Sequence, residues 1–133
     1  MHLRHSAYAD FAAQARLEML ERLGMNMAVM QAERIGPILF REETVYLREV
    51  HLGNSVKVSC LLSKCREDGS RWSFVQEIYR DDEVLAARIQ VDGAWIDMVK
   101  RKLNEGKPRY PLGLLQDDLH IERRIKMAKK TGR

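Results

Sequence analysis

The chain has 133 residues, 45% of them hydrophobic and 32% charged, a balance that suits one globular domain and excludes the disordered and fibrous classes. At this length roughly two thirds of the unfolded surface becomes buried, so neither a disulfide nor a structural metal is needed to supplement the core. No stretch approaches the ~18 apolar residues of a membrane span, and Arg4, Asp10 and Arg16 interrupt the first twenty residues as a secretory signal would not, which predicts a cytoplasmic protein without a membrane partner.

Residues 6–23 read as a helix. Tyr8, Phe11, Ala12, Ala15, Met19 and Leu23 recur at helical spacing, no proline interrupts them, and Gly24 is placed to end the run. Ser6 can cap the start, with Asp10 near the positive end of the dipole. Leu17 and Leu20 widen the apolar surface beyond one stripe, so the helix is expected to be largely enclosed.

After a mixed segment, 25–36, four stretches carry alternating, β-branched and aromatic residues: 38–51, 55–66, 71–80 and 83–99. Gly53 with Asn54, Asp68 with Gly69, and Asp81 with Asp82 separate them. These breaks suit antiparallel hairpins and are far too short for helical crossovers. In the second stretch Val56, Val58, Cys60 and Leu62 share one face, and Lys57, Ser59, Leu61 and Ser63 the other. The expected class is therefore α+β, a long buried helix followed by an antiparallel meander that wraps its apolar face around it. Gly93 marks a bulge or bend in the fourth strand.

Cys60 and Cys65, five apart on one strand, lie on opposite faces and cannot pair, so both read as free thiols, Cys60 in the core and Cys65 at the surface. A helical segment follows Pro111, with Leu115, Leu119 and Ile125 as its apolar side, and forms a basic tail over about 111–133 of a single domain. Arg123, Arg124, Lys126, Lys129, Lys130 and Arg133 crowd its last eleven residues without an acid. Such a tail attracts phosphate, and it equally suits a solvated helix end.

His5-Ser6-Ala7-Tyr8 followed by a long helix resembles the segment that joins the first strand to the central helix in the hotdog thioesterases related to 4-hydroxybenzoyl-CoA thioesterase. Tyr46-Leu47-Arg48-Glu49-Val50-His51-Leu52-Gly53-Asn54 is similar to that family's strand and turn of the form Y-L-R-P-x-x-x-G-D. Gln76-Glu77-Ile78-Tyr79-Arg80, Leu85-Ala86-Ala87, Trp95-Ile96-Asp97 and Arg101-Lys102-Leu103 resemble its later strands and exit loop. The order and spacing of these pieces carry the resemblance, which runs from residue 1 to about 110. It implies a hotdog fold and hydrolysis of an acyl-CoA or acyl carrier protein thioester, without a cofactor. The family's catalytic Asp falls seven residues before the position of His5, ahead of Met1, and the first strand falls there too. Residues 1–133 are thus expected to lack both and to be an impaired catalyst, with a start codon placed too far downstream as one explanation.

Thioester hydrolysis needs a carboxylate to activate water or attack the carbonyl, and donors for the oxyanion. Unpaired amides at the start of the long helix supply the donors. By resemblance the backbone N–H of His5 is the first of them, and the candidate catalytic residues are His5 and Tyr8, the latter as a pocket wall. Asp10 and Glu18 are the helix carboxylates nearest this end; Asp10 also reads as a dipole partner and Glu18 as part of a solvated face. Arg48, Lys57, Arg101 and Lys102 are candidates for the phosphates of CoA.

His2, His51 and His120 lack neighbours at metal-ligand spacing, and no G-x-S-x-G elbow or phosphate-binding glycine loop occurs. A non-catalytic acyl-CoA-binding or regulatory domain is the alternative that the absent Asp favours. A nucleic-acid partner is not expected, because the basic tail is accompanied by no recognition motif or aromatic platform. Self-association as a dimer or tetramer is expected, since one sheet leaves an edge strand and one side of the helix uncovered.

Overall fold

The computed structural model describes residues 5–22, 24–51, 53, 55–67, 69–103 and 120–126, the side chains of 5, 6, 103 and 120–126 excepted. Helix α1, His5–Arg22, buries Tyr8, Ala12, Ala15, Met19 and Leu20. Two of these are alanines, so the helix axis comes close to the strands beneath it. Gly24 ends the helix as expected. It takes a left-handed φ of 83°, and the Gly24 and Met25 N–H groups return to the Glu21 and Leu20 carbonyls at 3.0 and 2.9 Å. Ser6 lies inside the first turn, because the helix begins one residue earlier than the sequence predicts.

The segment read only as mixed contains a second helix, α2, Met27–Glu33. The Asn26 side chain caps it by accepting from Val29 N–H at 3.0 Å, and Arg34 closes it in the left-handed region at φ 56°.

Strands β1 (Ile35–Tyr46), β2 (Ser55–Cys65), β3 (Arg71–Arg80) and β4 (Leu85–Asp97) answer to the four predicted stretches, with β1 ending five residues before the predicted 51 and the others within two residues at each end. With β5 (Lys102–Leu103) and β6 (His120–Lys126) they form one antiparallel sheet of order β1-β4-β3-β2-β6, β5 pairing with β4. Strand β1 starts earlier than predicted and includes Pro37, which an edge strand tolerates because its missing N–H faces no neighbour. On β2 the alternation holds: Val56, Val58, Cys60 and Leu62 are buried. The core lies between this face and α1. A long helix packed on a curved antiparallel sheet is the hotdog arrangement.

Two expectations are corrected. Residues 120–126 form a strand, not a helix. Ile121 and Ile125 are spaced as on a helix, but the outer edge of β2 presents unpaired N–H and C=O groups, and pairing from Ser55↔Lys126 to Leu61↔His120 satisfies them. Arg123, Arg124 and Lys126 therefore sit on an edge strand; 111–119 and 127–133, with Leu115, Leu119, Lys129, Lys130 and Arg133, lie outside the described residues. Gly93 is likewise not itself a bulge. The irregularity falls on the facing strand, between Leu39 and Arg41, and Gly93 is required because a Cβ there would run into the Trp72 ring and the Ile38 carbonyl oxygen. Cys60 and Cys65 are both free, Cys60 buried and Cys65 half-buried. Among the described residues no helix is long and apolar enough to cross a membrane.

Candidate active site

The N-terminal turn of α1 lies over the far end of β1. Tyr8 is buried and packs edge-on against Tyr46, ring centroids 5.3 Å apart. Its phenolic oxygen accepts from the Val50 backbone N–H. Burial raises the Tyr8 pKa; the Val50 hydrogen bond opposes this, and Tyr46 and the charge of Glu49 add to the rise. The phenol is therefore neutral at pH 7, suited to lining a pocket or donating a proton and unsuited to accepting one. His5 opens the helix, so its backbone amide is among those left without an intrahelical acceptor. Its side chain, like His2, lies outside what is described.

Asp10 is exposed, and Glu18 pairs with Arg22 at 3.3 Å on the outer face of α1. Glu49, in the loop after β1, is the carboxylate whose charge is felt at Tyr8. The sequence signals it only as the one acid of the Y-L-R-type segment 46–54.

The four candidate cations divide between two ends of the sheet. Arg48 follows β1, where its N–H and that of Leu47 both reach the Ala86 carbonyl. Lys57 is near the start of β2, ion-paired with Glu83 at 3.1 Å and lying 5.3 Å over the Tyr79 ring. Both are at the end of the sheet that holds Tyr8. Lys57 alternates with the buried Val56 and Val58, which puts it on the face away from α1. Arg101 and Lys102 are in the turn and short strand after β4, where Lys102 pairs with Asp97. Asp97 and Ala87, which pairs with Tyr46, are ten strand residues apart, about 33 Å at the usual rise. A single CoA headgroup does not reach both ends.

Sequence reading missed a polar group beneath the helix. Gln76 is fully buried; its Nε2 donates to the Ala12 carbonyl at 2.8 Å and its Oε1 accepts from Arg16 Nη1 at 2.7 Å. Gln76 occupies an inward position of β3 between Phe74 and Ile78. A polar residue at a core position of an alternating strand is the one available signal. Among the described residues no group of three His, Cys, Asp or Glu could hold a metal; His51 is exposed.

The thioesterase-like superfamily matches this chain over residues 1–121. The chain belongs to that superfamily. Among solved structures, a 1,4-dihydroxy-2-naphthoyl-CoA thioesterase from Synechocystis is 16% identical, with 89% of this chain and 85% of that one covered and a TM-score of 0.75. A hypothetical protein from Staphylococcus aureus, solved in complex with CoA, is 17% identical over 77% of this chain, TM-score 0.73. A DHNA-CoA thioesterase from the same organism is 23% identical over 76%, TM-score 0.69. The chain spans 64% and 66% of the lengths of these two staphylococcal proteins. At these identities the likeness is one of fold. Among curated proteins none matches.

Proposed function

We propose that this thioesterase-like chain acts in the cytoplasm on acyl-CoA or acyl carrier protein thioesters, bound at the N-terminal end of α1. The observation that carries the reading is that the first helical amides of a thioesterase-like chain lie beside the buried Tyr8 and Val50 and the exposed Tyr46. The amides, His5 N–H first, polarise the thioester carbonyl, Tyr8 walls the acyl side, and Arg48 is the one of the four candidate cations that is at this end and exposed. Removal of one oxyanion donor costs about 10²- to 10³-fold in other enzymes, so this helix end matters even with a weak base. Lys57 supports a phosphate only from the far face. Arg101 and Lys102 would serve this site only across subunits.

Self-association belongs to the same reading. Strand β1 is a sheet edge of 12 residues that exposes Leu39, Phe40, Val45 and Tyr46. Two such edges side by side would cover this apolar surface and satisfy the unpaired backbone, giving at least a dimer.

Residues 1–133 alone are expected to bind acyl-CoA and hydrolyse it feebly, for want of an acid placed by motif; Glu49 is the carboxylate to test within them. The experiment assays short, long and aromatic acyl-CoAs with residues 1–133, with the same chain extended upstream by its native codons, and with Glu49→Gln. Extension should recover about 10²- to 10⁴-fold, the usual worth of general acid or base assistance. If residues 1–133 already match the extended chain and Glu49→Gln abolishes turnover, the acid is Glu49. If every version binds acyl-CoA and none hydrolyses it, the chain is a binding or regulatory domain.

A further inference from the structure

A cavity lies along α1, on the side of the helix toward β1 and β3. It encloses about 210 Å³ and is walled by Leu17, Leu20, Leu39, Trp72 and Phe74, with Arg16 as its one charged lining side chain. Arg16 is only partly accessible to water, and burial pulls its pKa down. Among the described residues it makes a single hydrogen bond, to Gln76, and no carboxylate lies within ion-pairing distance; Cys60 and Glu42 act on it only through space. Four of the five N–H groups of a guanidinium are thereby left without a protein acceptor. The one charged side chain of the cavity is thus a donor that cannot accept. A ligand that satisfies it brings an acceptor, and the positive charge favours an anionic one.

The Gln76 bridge locates the guanidinium. Gln76 joins Arg16 to the Ala12 carbonyl, so the charge sits near the level of Ala12, four residues from Tyr8. From His5, whose N–H takes the thioester carbonyl in the reading above, to Ala13, the first residue of α1 that lines the cavity, is eight residues, about 12 Å along the helix and the span of an acyl chain of about ten carbons. Resting on the thioesterase reading above, we propose that this cavity receives the distal end of the acyl group and that Arg16 selects acyl groups ending in a carboxylate. Gln76 is a positioning residue: it holds the guanidinium against the helix and leaves the rest of the fork facing the cavity.

The test compares decanoyl-CoA, the ten-carbon thioester with a distal carboxylate, and the methyl ester of that carboxylate, with a biphenyl-4-carbonyl and 4′-carboxybiphenyl-4-carbonyl pair as the aromatic arm. Each is assayed by turnover and by calorimetric binding to the full chain. The wild-type protein should favour the carboxylates by about 10- to 100-fold, the factor carried by a charge-assisted hydrogen bond, with the preference expressed in KM and in binding more than in kcat. Arg16→Met should bring the pair to parity while leaving the uncharged thioesters within a few-fold, and Arg16→Lys should fall between. A structural role for Arg16 would instead move both members of each pair together. The wild-type ratio of carboxylate to methyl ester needs no variant, so it decides the matter even if Arg16→Met fails to fold. Turnover or binding of uncharged thioesters with no preference for the carboxylate overturns the inference and leaves the thioesterase reading intact. Binding that favours the carboxylate without turnover of any thioester upholds the pocket and overturns the hydrolase; no binding of any of them overturns both.

Discussion

Raising the pH from 8 to 10.5 is expected to cost the folded chain about 2 kcal/mol through Cys60 alone. Its thiol is fully buried on β2 and faces α1; burial pushes its pKa from 9.0 up to about 12, against the weaker opposing pull of Arg16. The folded state therefore keeps the proton while the unfolded chain releases it above pH 9. Stability is complete below that value and falls as the pH climbs toward 12, by about 1.4 kcal/mol per unit once ionisation of the unfolded thiol dominates. At pH 10.5 the unfolded thiol is almost wholly ionised and has gained about 2 kcal/mol over its folded counterpart. Urea unfolding followed by the fluorescence of the buried Trp72 and Trp95 reads the free energy at pH 7.5, 9 and 10.5. Cys60→Ala carries a fixed packing cost but no thiol, so its stability should decline less steeply by that same amount; Tyr8, whose pKa is also raised, is common to both proteins and cancels. Parallel decline of the two proteins would show that water reaches the layer between α1 and β2, and the burial argument would fall.

Gly93→Ala should destabilise the fold by about 1–3 kcal/mol, because the added Cβ collides with a Trp72 ring already packed against Phe74 and Trp95. Trp72→Phe should reduce that penalty by about 1 kcal/mol or more, and a double-mutant cycle in urea showing no coupling would refute the collision. Light scattering at micromolar concentration should give at least twice the 15.5 kDa chain mass, and Phe40→Glu on the β1 edge should lower it; a stable wild-type monomer would count against pairing through that edge.

Periodicity alone carried much of the architecture. The helical spacing of Tyr8, Ala12, Ala15 and Met19, the stop at Gly24 and the alternation of Val56, Val58, Cys60 and Leu62 are local patterns that bury the same residues in any antiparallel meander, so helix, strands and inward face were legible from the chain. What depended on partners distant in sequence was not. His120–Lys126 carries isoleucines at helical spacing, and only the open edge of β2 makes it a strand. Gly93 reads as a bend until the Trp72 ring is seen to occupy the space a side chain would need. Arg48 and Lys102 are alike as surface cations in the sequence, and sheet register separates them to opposite ends. Gln76, Arg16 and the Ala12 carbonyl are 60 and 64 positions apart in their two hydrogen bonds. No local pattern encodes such a group, because its stability comes from the low-dielectric space that forms only when the helix closes over the sheet.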